Sequence, residues 1–346
     1  MKYNSEKLQP LPNSLPETFA ESVEQVIAFI LAELDRQITQ NQLYYHNREH
    51  IKGVQQRAEQ IFRTIRPAWE VTLEQETAKN YLERMKLLLD LSAIAHDTIQ
   101  IFIPKTEPHT PRRREAGVSE QATIEYVFDC IHHLNQQLQE KNPQHPARFI
   151  ESDFQIIKEA IAATICAYDP DEQAIYQPEL DNADRSLSYV ARIIALADIG
   201  ALGLNGIEDY NHEGSLLFLE ENPDIVPLIR NHQLPSLKTE QPELYENLRQ
   251  RLLRRTRFQV NFARSRLARY EQELVGFPID AIPILREEVF QYLRPSTIRE
   301  LEAMTPMNEA TPLEVLIAFF QFEKISIKDL SQFSDVCSIA KGSPEL

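Results

Sequence analysis

Glycine is scarce in this chain. Only 8 of 346 residues are glycine, and three of them, Gly200, Gly203 and Gly206, sit together. Sheet-rich and doubly wound folds need many glycine turns. Neither GxGxxG nor GxxxxGK[ST] occurs, which argues against dinucleotide-binding and P-loop chemistry. Leu, Ile, Ala, Glu, Gln and Arg dominate, and these residues form helices. The 21 prolines mostly fall between helical stretches, as helix breakers do. The expected fold class is all-α, a helical bundle.

Apolar periodicity predicts helices over residues 16–40, 48–65, 73–96, 118–138 and 151–168. Another carries Leu187, Val190, Ile194 and Asp198, with Asp184 as its expected cap. Residues 98–114, proline-bearing with the cluster Arg112, Arg113 and Arg114, read as a loop, as does 169–184. Residues 208–224 read as an acidic turn region. A long Arg-rich helix follows over 243–275, then shorter helices ending near Phe333. The expected organisation is a tail at 1–14, a helical domain at 15–215 and a helical extension at 216–346 packed on it.

Lys+Arg is 36 and Asp+Glu is 52, a formal net charge of −16. Long-range repulsion then opposes binding to nucleic acid polymers or to anionic membranes. The longest apolar runs fall short of the roughly 20 residues that span a bilayer. Cys130, Cys166 and Cys337 are odd in number and form no CxxC, which disfavours a disulfide framework or a cysteine zinc site. A reducing cytoplasm is the simplest expectation, with a homo-oligomer possible.

The chemistry-bearing residues come in three places. His46 and His50 are four apart, so on a helix start they share a face. His96 and Asp97 finish the apolar stretch LLLDLSAIAHD, and Asp198 interrupts RIIALADIGALG. Buried imidazoles and carboxylates need compensation, from a metal ion or from an ordinary hydrogen-bond network. Taken singly, each is more often a satisfied core group than a ligand. Neutral nitrogen with hard oxygen suits Mg, Mn, Fe, Co, Ni or Zn, as one ion or two.

The set Tyr45-His46-Asn47-Arg48-Glu49-His50, then His96-Asp97, then Asp198, resembles the HD-domain superfamily of all-helical, metal-dependent phosphohydrolases. The string YHNxxHxxxV is similar to the motif of cyclic-nucleotide phosphodiesterases. The resemblance spans about residues 20–205. It implies metal ligation by His50, His96, Asp97 and Asp198, with His46 as general acid. It also implies that Tyr45 and Asn47 lie at the substrate. Glu120, where many HD proteins carry an acid, would serve the attacking water; a solvent-facing helix-start Glu is the plainer reading. Phe258-Gln259-Val260-Asn261-Phe262 resembles the base-binding stretch of the phosphodiesterases, which implies Gln259 and Phe262 as substrate contacts; the plainer reading makes Phe262 core and Gln259 solvated. This chain departs from that family in the cationic Ala263-Arg264-Ser265-Arg266 that follows. Of the eight Arg between Arg249 and Arg269, most are expected to pair with acidic neighbours, and one or two to grip phosphate. The expected activity is hydrolysis of a small phosphoester, a nucleotide or cyclic nucleotide. The competing expectation is an HD-type nucleotide-binding or scaffold protein without turnover.

Overall fold

The computed structural model describes residues 15–105, 107–181, 187–322 and 325. The expected 1–14 tail, the Asp184 cap, Cys337 and the helix end near Phe333 lie outside them.

The chain is predominantly helical, as expected. Helices α1 (Phe19–Asn41), α2 (Arg48–Val71), α3 (Gln75–Ala95), α4 (Val118–Lys141) and α5 (Glu151–Ala162) come first. A two-stranded hairpin, β1 (Ala167–Asp169) and β2 (Ala174–Tyr176), follows. Next come α6 (Pro178–Asp181), α7 (Tyr189–Asp198), a π-helical segment (Ala201–Asn205) and α8 (Ile207–Glu221). The remainder includes α9 (Val226–Arg230), α10 (Leu237–Glu240), the long α11 (Pro242–Glu273), α12 (Ile282–Ile284), a second π-helical segment (Leu285–Val289), α13 (Pro295–Met304) and α14 (Leu313–Phe320).

Caps explain several boundaries. Thr18 and Glu21 form a reciprocal capping box at α1. Asn47 caps α2 and Ser188 caps α7. Helix α2 runs past Pro67, beyond its expected end at 65, and so buries Trp69 against Phe62, Tyr81 and Tyr189.

Three expectations are corrected. Helix α5 stops at Ala162, and residues 167–169 pair antiparallel with 174–176, Tyr168 opposite Ile175. The Asp169 side chain accepts from the Asp171 and Glu172 N–H groups and closes that turn. The 169–184 loop therefore contains β2 and α6. The acidic stretch 208–224 is helix α8 for most of its length. Gly206, at φ +96, ends the π-helical segment and frees the next residues to start anew. Glu208 and Asp209 then fall in the first turn of α8, where the helix dipole favours acids.

One hydrophobic core runs from Val23 to Ile325. Helix α2 packs on α3 and α7, α3 on α1 and α5, and α11 on α8, α13 and α14. Helix α8 passes through the expected boundary at 215/216, so the two halves share one core. No helix among the described residues is long and apolar enough to cross a membrane.

Candidate metal centre and substrate cavity

Three helix ends converge. The Asn47 side chain accepts from the Glu49 and His50 N–H groups, which fixes the first turn of α2 and aims His50 inward. Helix α3 ends at Ala95, so His96 and Asp97 leave it in succession; α7 ends on Asp198. His50, His96, Asp97 and Asp198 each present one ligand atom, and all four atoms lie within 4.8 Å of one another. The two rings' centroids are 5.5 Å apart. Asp97 Oδ2 lies 3.0 Å from His96 Nε2 and 3.2 Å from His50 Nε2. Asp198 Oδ1 is 3.5 Å from His96 Nε2 and 3.6 Å from His50 Nε2.

This set fits a divalent cation. The Ala93 carbonyl can only accept, so His96 Nδ1, 2.9 Å away, donates to it. His96 Nε2 then turns its lone pair to the centre, buried and without a hydrogen-bond partner. Lone pairs of an imidazole and a carboxylate 3.0 Å apart repel unless a proton or a cation stands between them. Burial disfavours charge on His96, but Asp97 and Asp198 outweigh it and raise its proton affinity well above that of free imidazole. Burial likewise opposes the Asp97 carboxylate, and His96 and His46 overcome it, holding Asp97 well below the usual carboxylate range.

A second layer of side chains orients the carboxylates. Gln100 Nε2 donates to Asp97 Oδ1 at 3.1 Å, and Gln177 Nε2 donates to Asp198 Oδ2 at 3.3 Å. Each aspartate thus has one oxygen held outward and one facing the histidines. Arg57 donates to the Ala197 carbonyl at 2.7 Å and to Glu213 at 2.9 Å, bracing the residue before Asp198.

His46 stands beside the cluster, its Nε2 3.7 Å from Asp97 Oδ2. Its Nδ1 pairs with Glu220 Oε1 at 2.5 Å. The other Glu220 oxygen accepts from the backbone N–H groups of Tyr44, Tyr45 and His46 at 3.0–3.1 Å. Burial would raise the Glu220 carboxyl, but His46, Arg114 and the His46 N–H bring it down to about 2. Arg114 Nη1 lies 3.1 Å from His46 Nε2 and 2.5 Å from Gln100 Oε1. A guanidinium only donates, so Nε2 accepts and the His46 proton sits on Nδ1.

These groups open onto a cavity of about 620 Å³. Asp97 and Asp198 line it together with Tyr45, His46, Glu120, Gln259 and Phe262. The structure thus brings both base-contact candidates to the cavity that holds the aspartates. Gln259 is buried there because Gly214 on α8 leaves it room; a Cβ at Gly214 would lie 2.2 Å from Gln259 Nε2. Glu120 Oε2 is buried without a partner, and burial, with Asp97 and Asp198 nearby, raises its carboxyl. Tyr45 packs its ring 4.3 Å from His50 and donates its hydroxyl to Glu213 at 3.3 Å. Asn47 is not among the residues lining this cavity. Its Oδ1 is spent on the helix cap and its Nδ2 on the Tyr44 carbonyl.

Sequence reasoning missed Glu220, Gln100, Gln177 and Arg57. For Glu220 a signal existed, since it follows the apolar run Leu216-Leu217-Phe218-Leu219 just as Asp198 follows its own. Comparison with protein-family models, with curated proteins and with solved structures gives no match for this chain.

Proposed function

We propose that this protein is a metal-dependent phosphohydrolase of the HD type that acts on a nucleotide phosphoester. The observation that carries the reading is the cluster of His50, His96, Asp97 and Asp198, whose two aspartates line one cavity together with His46 and its carboxylate partner Glu220. His50, His96, Asp97 and Asp198 would hold the cation. When bound, a divalent cation acts as a Lewis acid toward phosphoryl oxygen and lowers the pKa of water from about 15.7 towards 7.

The chain's own residues supply the rest. His46, with Glu220 at Nδ1, is placed to move a proton through Nε2 to the departing oxygen. Arg114 gives up its contact with Nε2 as that proton arrives, and its guanidinium turns to a phosphoryl oxygen, for which its fork is suited. Glu120 faces the cavity with an unpartnered oxygen and a raised proton affinity, which suits it to accept a proton from water. Gln259 offers amide donor and acceptor to a base edge, and Phe262, whose ring stacks on Phe258 at 6.0 Å, offers a face.

One observation favours a second reading. Arg114 occupies the nitrogen that an acid must use, which fits a nucleotide-binding protein without turnover. Elemental analysis of purified protein, with hydrolysis tests on cyclic and linear nucleotides, separates the two. The phosphohydrolase reading expects bound divalent metal and turnover of at least one ester. Metal and binding without turnover would support the second reading.

A further inference from the structure

Six of the eight arginines of α11 and its surroundings are committed. Arg249, Arg257, Arg264, Arg266 and Arg269 pair with carboxylates of the C-terminal region, α11 itself, or the hairpin and α6. Arg251 forks onto Asp224 at 3.1 Å and bonds Asn222. Arg254 and Arg255 differ. Both line the cavity described above. Arg254 makes no hydrogen bond or ion pair among the described residues. Arg255 approaches one carboxylate, Glu221, at only 4.0 Å. Its Nε is buried with no partner.

Their position relative to the ring-binding residues is set by the helix. Arg255 precedes Phe258 and Gln259 by three and four residues, so they share a face, about 5 Å apart along the axis. The Arg255 guanidinium lies 5.2 Å from the Phe258 ring centroid. Arg113, on the loop before α4, also lines this cavity, and its backbone is fixed by a bridge to Ile103. Its neighbour Arg112 donates its N–H to the Glu221 carbonyl at 2.8 Å, so loop and helix meet at Glu221. In a chain of net charge −16, three guanidiniums lining one cavity, two without a carboxylate partner among the described residues and one with only a distant one, mark a place for an anion.

We propose that Arg254 and Arg255, with Arg113 of the same cavity, form an anion subsite apart from the His–Asp cluster, and that the ligand is a nucleotide carrying a second phosphate besides the one at that cluster. The proposal rests on the phosphohydrolase reading only for the placement of the first phosphate. The base lies along Phe258, Gln259 and Phe262, and the second phosphate is forked by the arginines one turn towards the N-terminus of α11.

Calorimetric binding of two probes to the full-length protein as purified tests this: adenosine 5′-monophosphate and adenosine 3′,5′-bisphosphate. The bisphosphate is expected to bind roughly tenfold tighter or more, equivalent to about 1.4 kcal/mol. In Arg254→Gln, and in the double variant with Arg255→Gln, the affinity ratio is expected to fall towards one. Arg254 is exposed, so its single variant keeps the test valid should the double variant misfold. Equal affinities in the unaltered protein, binding of neither probe, or a ratio unchanged in the single variant would overturn the proposal. Failure to hydrolyse any phosphoester would instead count against the phosphohydrolase reading and leave the ratio untouched.

Discussion

At the scale of single residues, the cation site depends on paired groups whose lone pairs repel unless a proton or a cation stands between them. His96 Nε2 and Asp97 Oδ2 are the clearest pair. In the metal-free fold the proton affinity of His96 is raised by Asp97 and Asp198. A raised folded-state value means stability present below the unfolded value, about 6.5, and lost as pH climbs through the folded value. A cation must displace that proton. The rise in melting temperature on adding Mn²⁺ to metal-stripped protein is therefore expected to be larger at pH 8 than at pH 6. An equal rise at both would show that His96 is not a ligand. His46 has a different task. His46→Ala is expected to keep its metal while turnover falls about 10²–10⁴-fold, the usual worth of a general acid. Metal content and kcat on the same preparation check this; loss of metal would make His46 a ligand. The four candidate ligands were legible in the sequence by two signals: His96, Asp97 and Asp198 break apolar stretches, and His50 stands four residues from His46 at a helix start. Gln100 and Gln177 were not, because a glutamine that steadies a carboxylate looks like any other glutamine until its partner is known.

Secondary elements bring those residues together by their ends rather than their faces. The cap at Asn47 fixes the turn that aims His50, so Asn47→Ala is expected to cost about 1 kcal/mol in urea unfolding. It should also weaken metal binding, because the His50 N–H loses its acceptor. Unchanged metal affinity would make the cap a matter of stability alone. Helix α8 was the main element that the sequence concealed. Its first turn is acidic and was read as a turn, yet the same acids suit a helix N-terminus. Its far end delivers Glu220 to His46 and to three consecutive backbone N–H groups. The hairpin at 167–176 was hidden for a related reason. Its pairing is set by the Asp169 turn, whereas the apolar spacing before it continued the helix pattern of α5.

Across the whole molecule, one core joins the ligand-bearing helices to the long cavity-lining helix α11. The sequence reading places Gln259 and Phe262 of the C-terminal extension at the substrate. Glu220, Gln259 and the arginines of α11 make that extension a wall of the cavity. A single core implies a single cooperative transition. The chain has one tryptophan, Trp69, buried in the N-terminal half, so its fluorescence reports that half locally. Its thermal unfolding is expected to coincide with loss of helical circular dichroism. Separate midpoints would contradict a single cooperative core.

Inductively coupled plasma analysis of the purified full-length protein, beside its Asp97→Ala and Asp198→Ala variants, bears most directly on the cation cluster. Near-stoichiometric divalent metal is expected in the unaltered protein and little in folded variants, their circular dichroism being the control. Metal absent from the former even after incubation with Mn²⁺, Fe²⁺ or Zn²⁺, or fully retained in both variants, would contradict it.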